Sequence, residues 1–492
     1  MTLSTTLREE FATHTTPLLD FALGSICEEG GFGWLDSTGG VDRTQNRQLW
    51  INCRMTHVAA VGTLLGHPGC REMLDHGVRA LTELFGDNCR TPTPVSLREV
   101  EGPRMLNPEQ LRSLDSASRS APQNDVVDEF QLGPGGWFDT VDWEGKPVNE
   151  TKAAYAHAFV ILAASSAVAA GSCDAVPLFE QALQVSTEFF WDEEYGMVVE
   201  EWDRGFTTCS DYRGVNANMH TVEAYLAAAD VIDLLKPPPS PCGWGTLRLS
   251  PCGALRVALA GSAAQASRLA GSTSHHSSQL WRQRALRITN RVVNQEARNN
   301  NWRIPEHYNA QWSADLDYNR DTPADPFRPY GATIGHGLEW ARLCLQLGAS
   351  LNDPPAWIPE AAEALYDRAL KDGWDTDGAP GFLYTTDWLG QPVVYERMHW
   401  VLAEAMGASS ALATAMVRDT TSDLECWWTY AKQHLIDHEF GSWFHELDRH
   451  NQPSVHVWSG KPDIYHVLQA ILLPRLPLTP AIVPALALQL LD

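Results

Sequence analysis

Basic residues are scarce in this chain: 36 Lys and Arg stand against 61 Asp and Glu among 492 residues, for a formal charge of -25. Affinity for phosphate backbones and anionic bilayers rests on clustered Lys and Arg, so neither nucleic acid nor a membrane surface is expected as a partner. A neutral or weakly charged substrate fits better. None of the ten cysteines falls in a CxxC pair or a close Cys/His cluster, which argues against a zinc site and for reduced thiols in a cytoplasmic chain. No G-x-G-x-x-G opens a helix after a strand and no Walker A pattern occurs, so no nicotinamide cofactor, ATP or metal is implied. The N-terminal MTLSTTLREEFATHTTPLLDFAL lacks a basic start, an apolar core and a small-residue cleavage site, and no secretory leader is expected there. Long apolar runs are few. The best candidate for a membrane span, AAYAHAFVILAASSAVAAG at 153–171, recurs in register with five other segments and reads as a buried helix.

What the chain does have is a sixfold beat. Stretches built on Gly and aromatics occur as GGFGWLDSTGG (30–40), GPGGWFDTVDWEGKP (133–147), EEYGMVVEEWDRG (193–205), NWRIPEHYNAQW (301–312), APGFLYTTDWLGQP (379–392) and EFGSWFHELDRHNQP (439–453). Each is followed by a histidine in a helix-like segment: His57, His157, His220, His336, His399 and His466. A unit recurring with one ionisable group at the same phase predicts a ring of repeats with a reactive centre.

The segments between the hairpins carry apolar residues at helical spacing and are apolar nearly all round, as an inner ring packed on both sides requires. More polar, amphipathic stretches such as 280–297 and 359–373 suit an outer ring. The expected fold is all-α, an (α/α)6 barrel with short β-hairpins at one mouth, formed by residues 1–492 as one domain. Two gaps break the rhythm: 103 residues separate Gly33 from Gly136 and 107 separate Gly196 from Arg303, whereas 60 separate Gly136 from Gly196 and Gly381 from Gly441. The excess falls near 88–130 and 236–278, and the second stretch contains no Asp or Glu. Both read as insertions that carry no active-site residue. The proline-broken tail PRLPLTPAIVPALALQLLD is expected to cap an end of the barrel.

His336 and Glu339 are spaced i, i+3 on one helical segment, so an imidazole and a carboxylate can touch, a pairing suited to general acid/base work. His399 falls in the corresponding segment of the next unit. Asn216, His220 and Glu223 stack polar groups on one helical face, and Trp50 and Arg54 are spaced i, i+4 with His57 a turn later. Tyr155 is placed in the cavity, and His57, His157 and His466 are read as structural. Trp34, Trp388 and Trp443 are candidates to stack on a pyranose face, and Phe327 and Arg328 form a loop at the rim.

The motifs LWINCRMTH, NANMHTVEAY, DPFRPYGATIGHGLEWARL and YERMHWVLAEA resemble the N-acylglucosamine 2-epimerase superfamily and, within it, the aldose-ketose isomerase branch of mannose and sulfoquinovose isomerases. The resemblance covers most of the chain outside the two insertions. It implies an (α/α)6 barrel, no cofactor, and proton transfer between C2 and C1 of an open-chain sugar through a cis-enediol. Carried over by motif, the acid/base pair falls on His336 and His399, with Glu339 as the carboxylate partner of the first. Sugar contacts fall on Arg54, Tyr155, Asn216, His220 and Glu223, with Trp50 as an aromatic wall and Trp388 at the mouth. The implied activity is interconversion of D-mannose and D-fructose, the partner being a monosaccharide; a homo-oligomer is compatible with it. Alternatives are sulfoquinovose isomerisation, 2-epimerisation of an N-acylglucosamine or cellobiose, and, from another class, glycoside hydrolysis on the same fold.

Overall fold

The apolar segments between the hairpins have no polar face to turn to water, and each becomes a helix buried on nearly every side. The computed structural model describes residues 3–87, 135–236 and 277–492. The expectations for 88–130 and 236–278 therefore fall outside the described residues, apart from the flanking Asp87, Lys236, Ser277 and Ser278. Six core helices carry the repeat histidines: α2 (Leu49–Leu64), α4 (Ala154–Ala169), α6 (Val215–Leu235), α8 (Ile334–Ser350), α10 (His399–Thr414) and α12 (Ile464–Leu472). Six more polar helices alternate with them: α1 (Thr5–Leu23), α3 (Cys70–Arg79), α5 (Ala175–Val185), α7 (Ser278–Thr289), α9 (Trp357–Gly373) and α11 (Thr421–Tyr430). A short α13 (Ile482–Ala487) ends the chain.

Packing follows the repeat. The core helices touch in the order α2, α4, α6, α8, α10, α12, and α12 packs back on α2. Each of α3, α5, α7, α9 and α11 packs chiefly on one core helix, and α1 lies mainly on α12 and also touches α2. No helix among the described residues is long and apolar enough to cross a membrane; the 153–171 segment is core helix α4.

Two-residue strands pin the core helices at their N-terminal ends. Arg47–Gln48 pairs antiparallel with Thr140–Val141, Lys152–Ala153 with Glu201–Trp202, Arg213–Gly214 with His307–Tyr308, Ala332–Thr333 with Thr385–Thr386, and Arg397–Met398 with Glu446–Leu447. Each helix is thus entered from a strand bonded to the hairpin of the next unit. In the sixth unit Lys461 N–H donates to the carbonyl of Leu35, 2.7 Å away, and so reaches the first hairpin.

These entries set a register that the histidines do not follow. Counted from the start of each core helix, they stand at positions nine (His57), four (His157), six (His220), three (His336), one (His399) and three (His466). The expectation of a shared histidine phase is therefore corrected. The true register is visible at position two, occupied by Trp50, Tyr155, Asn216, Gly335, Trp400 and Tyr465, and at position six, occupied by Arg54, Phe159, His220, Glu339, Glu404 and Gln469. Position four shows the cost of reading residue type alone. Asn52 and Asn218 there accept the backbone N–H of Phe32 (2.7 Å) and Val198 (2.9 Å) from their hairpins, and His157 Nε2 accepts that of Trp137 (3.2 Å). His157 does the anchoring work of an asparagine.

Candidate active site

Seven residues at positions two and six of the core helices, one turn apart, line a cavity of about 680 Å³ at the N-terminal half of the ring. Trp50, Tyr155, Asn216 and Trp400 come from position two, and Arg54, His220 and Glu339 from position six. His336, His399 and His466 complete the wall, with Phe327 and Trp458 at the mouth. Gly335 has a local reason: a Cβ there would lie 2.2 Å from the Trp400 ring, so glycine lets that indole cross the start of α8.

His399 is set up as a base. Its Nδ1–H donates to the carbonyl of His445 at 3.1 Å, which fixes the tautomer and leaves the Nε2 lone pair free. Buried Nε2 makes no hydrogen bond and lies 3.9 Å from Asp463 Oδ2. Burial lowers the pKa of His399 to about 4, against the pull of Asp463, so the imidazole is neutral at pH 7. The ring of His445 stacks on it with centroids 3.9 Å apart.

His336 has a different carboxylate from the one expected. Its Nδ1–H donates to Glu306 Oε1 at 3.0 Å, across from the hairpin of the fourth unit. Glu339 turns instead toward Arg342 (3.4 Å) and His220 Nδ1 (3.7 Å). The i, i+3 spacing brings His336 and Glu339 side by side on α8, but their side chains project to different neighbours.

Asp463 organises the third corner. It caps the N-terminus of α12, and its Oδ2 accepts from His466 Nδ1 at 2.6 Å and from Arg54 Nη1 at 2.7 Å. Arg54 Nη2 reaches the Tyr155 hydroxyl at 3.2 Å. Burial pushes the Tyr155 pKa up to about 12, so its hydroxyl keeps its proton. Two groups of three gather within ligand distance, His399/Asp463/His466 and His220/Glu223/Glu339. In each, a guanidinium already supplies the positive charge: Arg54 beside Asp463 and Arg342 beside Glu339.

A model of the family described as N-acylglucosamine 2-epimerase (GlcNAc 2-epimerase) matches residues 30–90, 129–233 and 266–470. The chain belongs to the N-acylglucosamine 2-epimerase family. A D-mannose isomerase of Thermobifida fusca is 38% identical to it over 472 residues, covering 96% of this chain and 94% of the relative. Among solved structures, a D-mannose isomerase superposes with a TM-score of 0.70 at 25% identity, covering 95% of this chain and 97% of its own. The cellobiose 2-epimerase of Spirochaeta thermophila has the same fold, with a TM-score of 0.65 at 17% identity and coverage of 96% and 98%.

Within this family member, the cavity brings together eight of the residues singled out from the sequence: Trp50, Arg54, Tyr155, Asn216, His220, His336, Glu339 and His399. Glu223 lies one turn deeper, where it accepts from the Tyr465 hydroxyl and from Gln469 (3.2 Å), and it lines a second cavity behind the first. Trp388 is placed elsewhere: its indole N–H donates to the carbonyl of Leu316 (2.7 Å) in an exposed turn. Trp443 is buried against His14, and Trp34 backs the cavity by stacking on Trp458, with centroids 6.0 Å apart. Phe327 closes the mouth over Trp50 and Tyr155, whereas Arg328 leaves it to lie over the Tyr212 ring. His57 donates to Ser166 Oγ (2.8 Å) away from the cavity, but His466, read as structural, lines it.

Glu306, Asp463, His445, Trp400 and Trp458 went unrecognised. Asp463 left a signal in KPDIYH, an acidic residue three before a histidine at a helix start, which is a capping pattern. Glu306 left none, since it reaches His336 from 30 residues away through a hairpin.

Proposed function

We propose that this chain is a cofactor-independent aldose-ketose isomerase that interconverts D-mannose and D-fructose through a cis-enediol. The observation that carries the reading is His399, a neutral imidazole with its tautomer fixed and its Nε2 free in the cavity at the helix N-termini. The D-mannose isomerase relatives that match nearly the whole chain support the choice of sugar. So does Arg54. Its guanidinium is buried and bound by Asp463 and Tyr155, which suits it to a neutral hydroxyl better than to a sulfonate needing a full positive charge.

His336, oriented by Glu306, shuttles a proton between O5 and O1 and opens the ring. His399 Nε2 removes the proton from C2, leaving an enediolate; the O2 hydroxyl proton passes to O1, and the imidazolium returns its proton to C1 as C2 becomes the carbonyl. The N-termini of the core helices converge on this cavity, and their partial positive charge favours the developing oxyanion. Trp50 and Trp400 offer apolar walls to the sugar; Asn216, His220 and Tyr155 offer hydrogen-bond partners.

The fold that supports this chemistry is read as an (α/α)6 barrel of one domain, each long insertion leaving and re-entering at one point. Asp87 N–H donates to Gly136 O (3.0 Å) across the first interval, and Lys236 Nζ donates to Ser278 Oγ (3.1 Å) across the second. Replacing 237–276 with a short Gly/Ser linker should preserve turnover.

Incubation with mannose in deuterium oxide, followed by NMR at C1 and C2, tests the reaction. Fructose carrying label or retained hydrogen at C1 is expected. Glucose as the dominant early product would replace isomerisation by 2-epimerisation, and sulfoquinovose outcompeting mannose would replace the substrate.

A further inference from the structure

The floor of the cavity holds more carboxylates than its cations balance. Arg342 of α8 meets Glu404 of α10 through two bonds (Nε to Oε2 2.8 Å, Nη2 to Oε1 3.1 Å), Glu339 of its own helix at 3.4 Å and Glu223 of α6 at 3.7 Å. Glu339 and Glu404 are each 1% exposed. The other guanidinium nearby, Arg54 of α2, is already held by Asp463 of α12 at 2.7 Å. His220 of α6 faces both Glu223 (3.6 Å) and Glu339 (3.7 Å), and burial lowers its pKa to about 4, so it brings no charge at neutral pH. Tyr155 of α4 and Tyr465 of α12 complete the surroundings, both buried and protonated.

One guanidinium therefore faces two buried carboxylates and a third that is mostly buried, and an ion left uncompensated in such a place takes up a proton instead. The contacts say which one. Glu404 has two short bonds from Arg342; Glu223 has the Tyr465 hydroxyl and Gln469 as donors. Glu339 has one long contact and stands between the other two. The geometry points to Glu339 as a neutral carboxylic acid that presents its O–H to a sugar oxygen in the cavity, a catalytic hydrogen-bond donor and not an orienting carboxylate for His336. Burial, then the charge of Glu404, hold its carboxyl well above the usual range, against the opposing pull of Arg342. The role rests on the isomerase reading. No proton is transferred: the O–H bond persists, and the hydrogen bond strengthens as charge builds on the enediolate oxygen.

The test has two arms. In the infrared, wild type minus Glu339→Gln at pH 7, without substrate, should show the carbonyl band of a protonated carboxylic acid, shifted in deuterium oxide. Glu404→Gln, which removes a neighbouring charge, should lower the pH at which that band disappears. In kinetics, Glu339→Gln keeps a neutral donor and should lose less than about tenfold in kcat, whereas Glu339→Ala should lose about a hundredfold or more. Absence of the band overturns the proposal, as does a Glu339→Gln enzyme as slow as Glu339→Ala. If the band is present but wild type turns over no aldose, the isomerase reading fails while the neutral carboxyl stands.

Discussion

All six core helices line the front cavity, five of them and the tail line a rear one at the other end, and only the front is built for chemistry. Space alone does not say why: the front encloses about 680 Å³ and the rear about 540 Å³, solvent at their mouths included. Their polar atoms do. At the front, His399 Nε2, His445 Nε2 and Asn216 Oδ1 make no hydrogen bond. At the rear, Asp230 accepts from Arg282 (2.7 Å) and from the backbone of Ala481 (2.7 Å) in the tail, which lies over that end as the sequence predicted, and His57 is satisfied by Ser166, so that Gln469 Oε1 is left as the unpaired atom of that wall. A site for a hydroxylated ligand leaves hydrogen-bonding capacity unmet until the ligand arrives; a structural cavity satisfies most of its own. Helix N-termini add the second difference, since the front receives their positive ends and the rear their negative ends.

The contrast can be broken most strongly at His399. His399→Ala should lower kcat/KM about 10³-fold, whereas Gln346→Ala at the rear should change it less than about twofold; equal losses would erase the distinction. Glu306→Gln, which retains the shape but weakens the orientation of His336, should lower kcat about 10²-fold with a smaller change in KM. Asp463→Ala leaves Arg54 buried without its partner and should destabilise the fold by about 3–5 kcal/mol, read from urea midpoints. Acid should act on both ends. Burial lowers His57, His220 and His399 to about 4 from 6.5, so between these values the unfolded chain binds protons that the folded chain refuses. Stability then falls as pH falls through that window, and Tm measured from pH 7 to 4.5 should decline in step. The acid limb of kcat/KM should likewise lie near pH 4 instead of 6.5. Trp388→Ala, in its exposed turn, should leave KM within about twofold.

The helices were legible because their apolar residues recur at helical spacing, and the hairpins because Gly and aromatics recur with them. Rotation was not legible. A helix that is apolar all round carries no mark of which side faces the centre, so His157 and His466 read alike as structural although one anchors a hairpin and the other lines the cavity. Pairings along one helix were legible only as opportunities. His336 and Glu339 share a face, yet each finds its partner elsewhere, because Glu306 and Arg342 lie nearer to their side-chain ends. Contacts between units, such as Arg54 with Asp463 across 409 residues, have no local trace at all.

The entry strands have a consequence for how such a protein diversifies. They fix five of the core helices through main-chain bonds indifferent to the side chains that follow, so the seven residues at positions two and six that line the cavity are held by a frame that does not depend on which sugar they meet. Exchanging Asn216 or Trp400 becomes a way to retune sugar preference one position at a time, and a small library over those sites samples new selectivities without first solving a folding problem.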